Sequence, residues 1–267
     1  MLTSVSLRTS CCVLAVGYKF RKLATTATVA SALAMITPLA FAGSGAPVIP
    51  SLDAWLSVNA GTNQGGDLLP PSYVNDGSND FSFSGSNTSA AGQYAVDWNL
   101  VMNPDPFING AVTVTNLSSS AQNFTVNLNL PVTPAFSPGL MGGSIDATVY
   151  DLNSSGTATL QPQGSVSNPI YFGRIDNTSL LLMFAQVVSC GGVGCSGNSG
   201  ESQMPPSIPV AGVNTNIGTR LVFNLSAGDK VTFSTHFEVL PVPVPAAAWL
   251  MGSALAGLFG ARRRARA

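Results

Sequence analysis

From Tyr94 onward the chain repeatedly alternates apolar and polar residues with a period of two. Tyr94, Val96, Trp98 and Leu100 alternate with Ala95, Asp97 and Asn99, and Phe124, Val126, Leu128 and Leu130 alternate with Thr125, Asn127 and Asn129. Leu221, Phe223 and Leu225 form another such face. Val231, Phe233, Phe237 and Val239 alternate with Thr232, Ser234, His236 and Glu238. Successive side chains of a strand point to opposite faces, so this period predicts half-buried strands. Leu180 to Val188 is an apolar run broken only by Gln186. It predicts a strand covered on both faces. Ser226-Ala227-Gly228-Asp229 is expected to join the last two strands as a hairpin. Turn formers punctuate the runs at Asn103-Pro104-Asp105-Pro106, Asn116 to Ser120, Pro131 to Gly143 and Asn153 to Gly156. No amphipathic helix is evident between Gly43 and Leu240. Many short strands without helices predict an all-β, antiparallel β-sandwich or jelly-roll domain over residues 43–240.

The two ends follow a different pattern. Lys19, Arg21 and Lys22 precede an apolar stretch from Leu23 to Leu39, and Ala40-Phe41-Ala42 follows it. A positive region, an apolar region and small residues at the −3 and −1 positions predict a secretory signal peptide over residues 1–42. Cleavage is expected after Ala42, with Ala40 and Ala42 read by signal peptidase after export through the Sec translocon. The alternative is a membrane-spanning helix, against which Pro38, the threonines and the short apolar length argue. The stretch before Lys19 exceeds a usual n-region, so either the signal is long or translation starts further downstream.

At the other end Pro243-Val244-Pro245 precedes sixteen uncharged residues, 246–261, and then Arg262, Arg263, Arg264 and Arg266. As a helix the apolar run spans about 24 Å, slightly short of a hydrocarbon core of about 30 Å. Flanking Val242 and Val244 and snorkelling arginines close the difference. The basic cluster predicts a cytoplasmic tail and places the preceding domain outside. Gly252, Ala256 and Gly260 share one face, which suits either close helix approach or a plain small-residue helix.

Charge separates the same segments. All twelve acidic residues lie between Asp53 and Glu238, where only Arg174, Arg220 and Lys230 are basic. A net-acidic domain without a basic stripe repels phosphate backbones, so no nucleic-acid partner is expected.

Candidate chemistry in the middle is sparse. Cys190 and Cys195 are the cysteines left after signal removal, and CGGVGC spacing in an oxidising compartment favours a local disulfide. Free thiols and a metal site needing two further ligands are the alternatives. His236 and Ser199 are candidates for a hydrolase pair, although the G-x-S-x-G elbow is absent and no orienting acid is evident. The run Asn75-Asp76-Gly77-Ser78-Asn79-Asp80 reads as a solvated turn or as an oxygen-rich calcium loop without a terminal Glu. Asn116, Asn123 and Asn224 head Asn-x-Ser/Thr triplets. No catalytic residue, cofactor or resident metal is assigned.

The run VPVPAAAWLMGSALAGLFGARRR resembles the PEP-CTERM sorting signal in its VPxPAAAW-type variant. The likeness covers the 26 residues from Val242 to Ala267, with Val244 standing where the family's Pro-Glu-Pro has Glu. The segment WNLVMNPDPFINGAVTVTNLSSSAQNFTVNL likewise resembles a stretch common in exported proteins with this signal. The resemblance implies an exosortase-type sorting enzyme as partner, cleavage near Pro243 to Pro245, and association with exopolysaccharide, biofilm or floc. On this reading the chain is a non-enzymatic surface or matrix protein, held first at the inner membrane and then at the cell surface or outside it. The rival expectation is a secreted glycan-binding protein or hydrolase whose site lies on sandwich loops.

Overall fold

The computed structural model describes residues 52–58, 72–75, 80–103 and 106–242. The predicted signal segment 1–42, including Ala40 and Ala42, lies outside the described residues. So does the predicted sorting segment from Pro243 through Arg266, with the flanking helices expected in both.

The described residues form fifteen strands and no helix. In chain order they are β1 (Asp53–Val58), β2 (Ser72–Asn75), β3 (Phe81–Thr88), β4 (Tyr94–Asn103), β5 (Phe107–Asn116), β6 (Gln122–Pro131), β7 (Gly139–Tyr150) and β8 (Thr157–Pro162). They continue with β9 (Tyr171–Ile175), β10 (Thr178–Met183), β11 (Val188–Gly191), β12 (Ser196–Asn198), β13 (Ser202–Val210), β14 (Asn216–Leu225) and β15 (Lys230–Pro241). Two antiparallel sheets result. The first runs β1-β6-β14-β8-β11, with the β9–β10 hairpin paired to the other half of the same β14 edge. The second runs β2-β3-β4-β5-β15-β7, and β12 and β13 share the far edge of β7. The fold is therefore a β-sandwich.

The period-two faces read from the sequence are the inward faces. Phe124 of β6 stacks on Phe223 of β14 at 5.5 Å, and Phe223 meets Phe233 of β15 at 4.9 Å. That chain of rings joins the two sheets, and aromatic pairs add about 0.5–1.5 kcal/mol each beyond area burial. A second cross-sheet tie is polar: the buried Tyr171 hydroxyl donates to the His236 carbonyl at 2.9 Å. The far edge of β7 is guarded by the prolines of β13, Pro205, Pro206 and Pro209, which cannot donate to a further strand.

Three expectations need correcting. Ser226–Asp229 does not close a hairpin: β14 belongs to the first sheet and β15 to the second, so these four residues cross the sandwich. Leu180–Val188 is not a doubly covered strand. β10 is an edge strand paired only with β9, with Leu181 and Met183 buried and Leu180 and Leu182 exposed at 44% and 57%. The residues after Met183 form a loop, where Phe184 adopts φ +62°. Finally, Gly139–Gly143 is not turn but the start of β7.

Gly173 shows how tightly β9 is pressed against the opposite sheet. A Cβ there would lie 2.5 Å from the Phe237 ring and 2.9 Å from the Leu181 Cβ. We predict that Gly173→Ala lowers unfolding stability by about 1–3 kcal/mol through overpacking. It should appear in urea as a lower midpoint with an unchanged slope. A wild-type midpoint would mean that β9 does not sit against Phe237.

Candidate functional site

The outer face of the first sheet brings two of the domain's three basic residues together with two aromatic side chains. Strand alternation turns Leu56, Leu128, Leu221 and Tyr171 inward and leaves their neighbours outside. Backbone register then lines up one row across five strands: Trp55, Asn127, Arg220, Phe172 and Leu182. The adjacent row is Asp53, Asn129, Gly218, Arg174 and Ser179.

The contacts within this face are partly satisfied. The Arg220 guanidinium lies over the Phe172 ring at 5.8 Å, a cation–π contact. Arg174 donates through Nη2 to the Asn177 carbonyl at 2.8 Å and through Nη1 to Asn127 Oδ1 at 3.4 Å. Asn129 donates to Asp53 at 3.4 Å. Burial, and then the nearby Arg220 charge, lower the pKa of Arg174. Four buried polar atoms of this face have no hydrogen-bond partner: Asn127 Nδ2, Asn129 Oδ1, Asn216 Oδ1 and Arg220 Nε. Gly218 makes room for one of them, since a Cβ there would stand 2.6 Å from Asn129 Oδ1.

Arg174 is held in place by the turn that follows it. Ile175 pairs with Thr178, leaving Asp176 and Asn177 as a two-residue loop. Both have left-handed φ values, +48° and +65°, the geometry of a type I′ hairpin turn. The Asp176 carboxylate then accepts from Asn214 and Thr215, each through backbone and side chain, at 2.7–3.1 Å. It also accepts from the Asn216 amide at 3.3 Å. Partial burial pushes its pKa up, but these hydrogen bonds outweigh it and hold the group at about 2. This clamp fixes the start of β14 and hence the Arg220 strand against the Arg174 strand.

The sequence-predicted residues fall elsewhere. Cys190 and Cys195 are joined as a disulfide with Cα atoms 5.8 Å apart. The loop they close is organised by the buried Asp151, which accepts from the Gly194 and Gly156 amides at 3.1 Å each, while its own amide donates to the Cys195 carbonyl. Ser199 and His236 are not brought together. Ser199 donates to Asp146 at 3.0 Å and accepts from the Ala147 amide, whereas His236 Nε2 lies 3.4 Å from Glu238 two residues along β15. Asn75 ends β2 and Asp80 accepts from Asn103 at 2.6 Å, while Asp76–Asn79 lies outside the described residues. Among the described residues no group of three His, Cys, Asp or Glu side chains is placed to hold a metal. Asn116 is fully buried, with its amide nitrogen donating to carbonyls of Ser120, Leu225 and Ser226, so this triplet presents no free acceptor nitrogen. Sequence reading missed the arginine–aromatic face. Its signal was faint: two of the three basic residues of the domain, Arg174 two residues from Phe172 on β9 and Arg220 opposite Phe172 on β14.

No protein-family model matches the chain, and no curated protein matches it.

The clamp predicts a pH dependence. A depressed native pKa contributes stability that is present above the unfolded value of 3.8 and lost as pH falls towards about 2. Asp176→Asn should therefore cost about 1–3 kcal/mol at neutral pH, with the gap to wild type closing near pH 2. Equal stability of the two proteins at neutral pH would remove the clamp from the account.

Proposed function

We propose that the chain is an exported, non-enzymatic cell-surface or extracellular-matrix protein sorted through a PEP-CTERM-like C-terminal signal. The observation that carries the reading is the order of Pro243-Val244-Pro245, a sixteen-residue apolar run and Arg262, Arg263, Arg264 and Arg266, preceded at the far end by a secretory pattern closing on Ala40 and Ala42. The Cys190–Cys195 bridge supports it, since such bridges persist in oxidising compartments. In this reading signal peptidase acts after Sec export. The helix 246–261 then holds the chain at the inner membrane with its arginines inside. An exosortase-type enzyme next cuts near the Pro-x-Pro, and the sandwich reaches the surface or an exopolysaccharide matrix.

The apparent mass of the protein in membrane and surface fractions, with and without the host sorting enzyme, tests this. The surface form should begin at Gly43 and lack the arginine tail. Pro243→Ala with Pro245→Ala should leave insertion intact and block processing. Replacing the four arginines by Ser should weaken orientation and retention. Surface protein that keeps its arginine tail in both strains would leave a simple membrane-anchored protein as the better reading.

A further inference from the structure

We infer that the outer face of the first sheet is a docking surface for an acidic polysaccharide, with Arg174 and Arg220 meeting sugar carboxylates and Trp55 and Phe172 meeting sugar rings. The argument begins with charge. The domain between Asp53 and Glu238 holds three basic residues against twelve acidic ones, yet two of the three are neighbours on this face. Among the described residues neither arginine pairs with a carboxylate; the one ion pair is that of His236 with Glu238 on the other sheet. Two guanidiniums that repel one another without a counter-charge are unfavourable in the free protein, and a bound anion relieves that repulsion. Among the described residues the Arg220 guanidinium makes a cation–π contact with Phe172 and no ion pair.

The neighbours of the arginines select the kind of anion. Trp55 and Phe172 flank Arg220 in the same row, three strand spacings apart, which is roughly 14 Å. That distance suits an extended polymer of several rings better than a single small anion. Density of charge decides between polyanions. A polymer with a phosphate at every repeat is opposed by the net-acidic domain, whereas one with a single carboxylate per sugar brings less charge and more apolar ring surface to the aromatics.

This deepens the matrix reading and rests on it for the source of the polymer. The binding itself is measured on purified protein, so failure of one leaves the other standing. The full chain, purified in detergent and immobilised, is titrated with polygalacturonate, neutral dextran and polyphosphate. Saturable binding of polygalacturonate is expected, weakened by added salt, with dextran and polyphosphate each at least about tenfold weaker. Arg174→Gln with Arg220→Gln should lower affinity by at least about tenfold at unchanged circular dichroism, while Lys230→Gln on the other sheet should bind as wild type. If the double variant loses its fold, Trp55→Leu, which keeps both charges, should weaken binding by about threefold or more. The inference is overturned if wild type fails to bind polygalacturonate or if polyphosphate or dextran binds as tightly. Wild-type affinity in the folded double variant, or in Trp55→Leu where that variant replaces it, overturns it too.

Discussion

Between Leu225 and Lys230 the chain leaves one sheet and enters the other, and the sandwich depends on holding that crossing closed. Four residues carry it, with Gly228 in the left-handed region at φ +70°. The crossing is fastened to both sheets by polar groups, of which Asn116 and Asp229 are fully buried. Asn116, at the end of β5, donates to the carbonyls of Leu225 and Ser226, and its amide donates to the Asp229 carbonyl. On the other side the Thr159 amide of β8 donates to the Ser226 hydroxyl, and the Ser226 amide donates to the Thr159 carbonyl. The Ser226 hydroxyl also donates to Asp229. Once these bonds exist, Leu225 and Val231 must face the same interior, and the Phe124–Phe223–Phe233 chain of rings follows. Removing a buried partner of this kind costs about 1–3 kcal/mol per orphaned group.

Asp229 is the costly member of this arrangement. It is fully buried, and one carboxylate oxygen has no partner. Burial raises its pKa, hydrogen bonds from Ser226 and Leu152 oppose the rise, and the Asp151 charge adds to it. A raised carboxyl pKa works against the Asp176 clamp. The folded state gains most from Asp229 while it is protonated and loses that gain as pH rises through its native pKa. The two aspartates thus divide the acid range. Both belong to turns, where backbone amides compensate a charge more cheaply than a strand interior can.

The strands with regular alternation were legible in the sequence because one face of each meets the core and the other meets solvent. Tyr94–Leu100 keeps that rule throughout; Phe124–Leu130 breaks it at the buried Asn127, and Val231–Val239 turns Thr235 inward among its apolar residues. What alternation cannot convey is which sheet a strand joins. Ser226-Ala227-Gly228-Asp229 has the chemistry of a hairpin, and the difference lies in Asn116, more than a hundred residues away in the chain. The run from Leu180 misled for a related reason. Apolar residues on both faces fit a central strand, but Leu182 is spent on the outer row beside Phe172. The Asp176-Asn177 turn carried a readable signal, since both residues tolerate positive φ, but Arg174 and Arg220 acquire meaning only through register. The Cys190–Cys195 bridge was legible from its spacing and the exported context, because a loop of glycines needs no distant partner to close.

The two outer faces of the sandwich differ in chemistry, and that difference gives the domain an orientation. The second sheet presents Asp97, Asp146 and Glu238 among short hydroxyl side chains, with Thr113 and Thr232 bonded to each other at 2.9 Å. Its cation, Lys230, is already engaged over the Tyr150 ring at 4.5 Å. The first sheet presents the arginines, Trp55 and Phe172. A polyanion approaching the second face meets three carboxylates and a Tyr150 ring already covered by Lys230, while one approaching the first face meets two arginines and two aromatics beside the single carboxylate of Asp53. The preference needs no deep pocket, because a flat sheet offers register instead: side chains two residues apart on each strand, repeated at the strand spacing. Periodic polymers can match such a lattice at several points along their length. Each contact can be weak, since linked contacts multiply in effect when the geometry lets them form together.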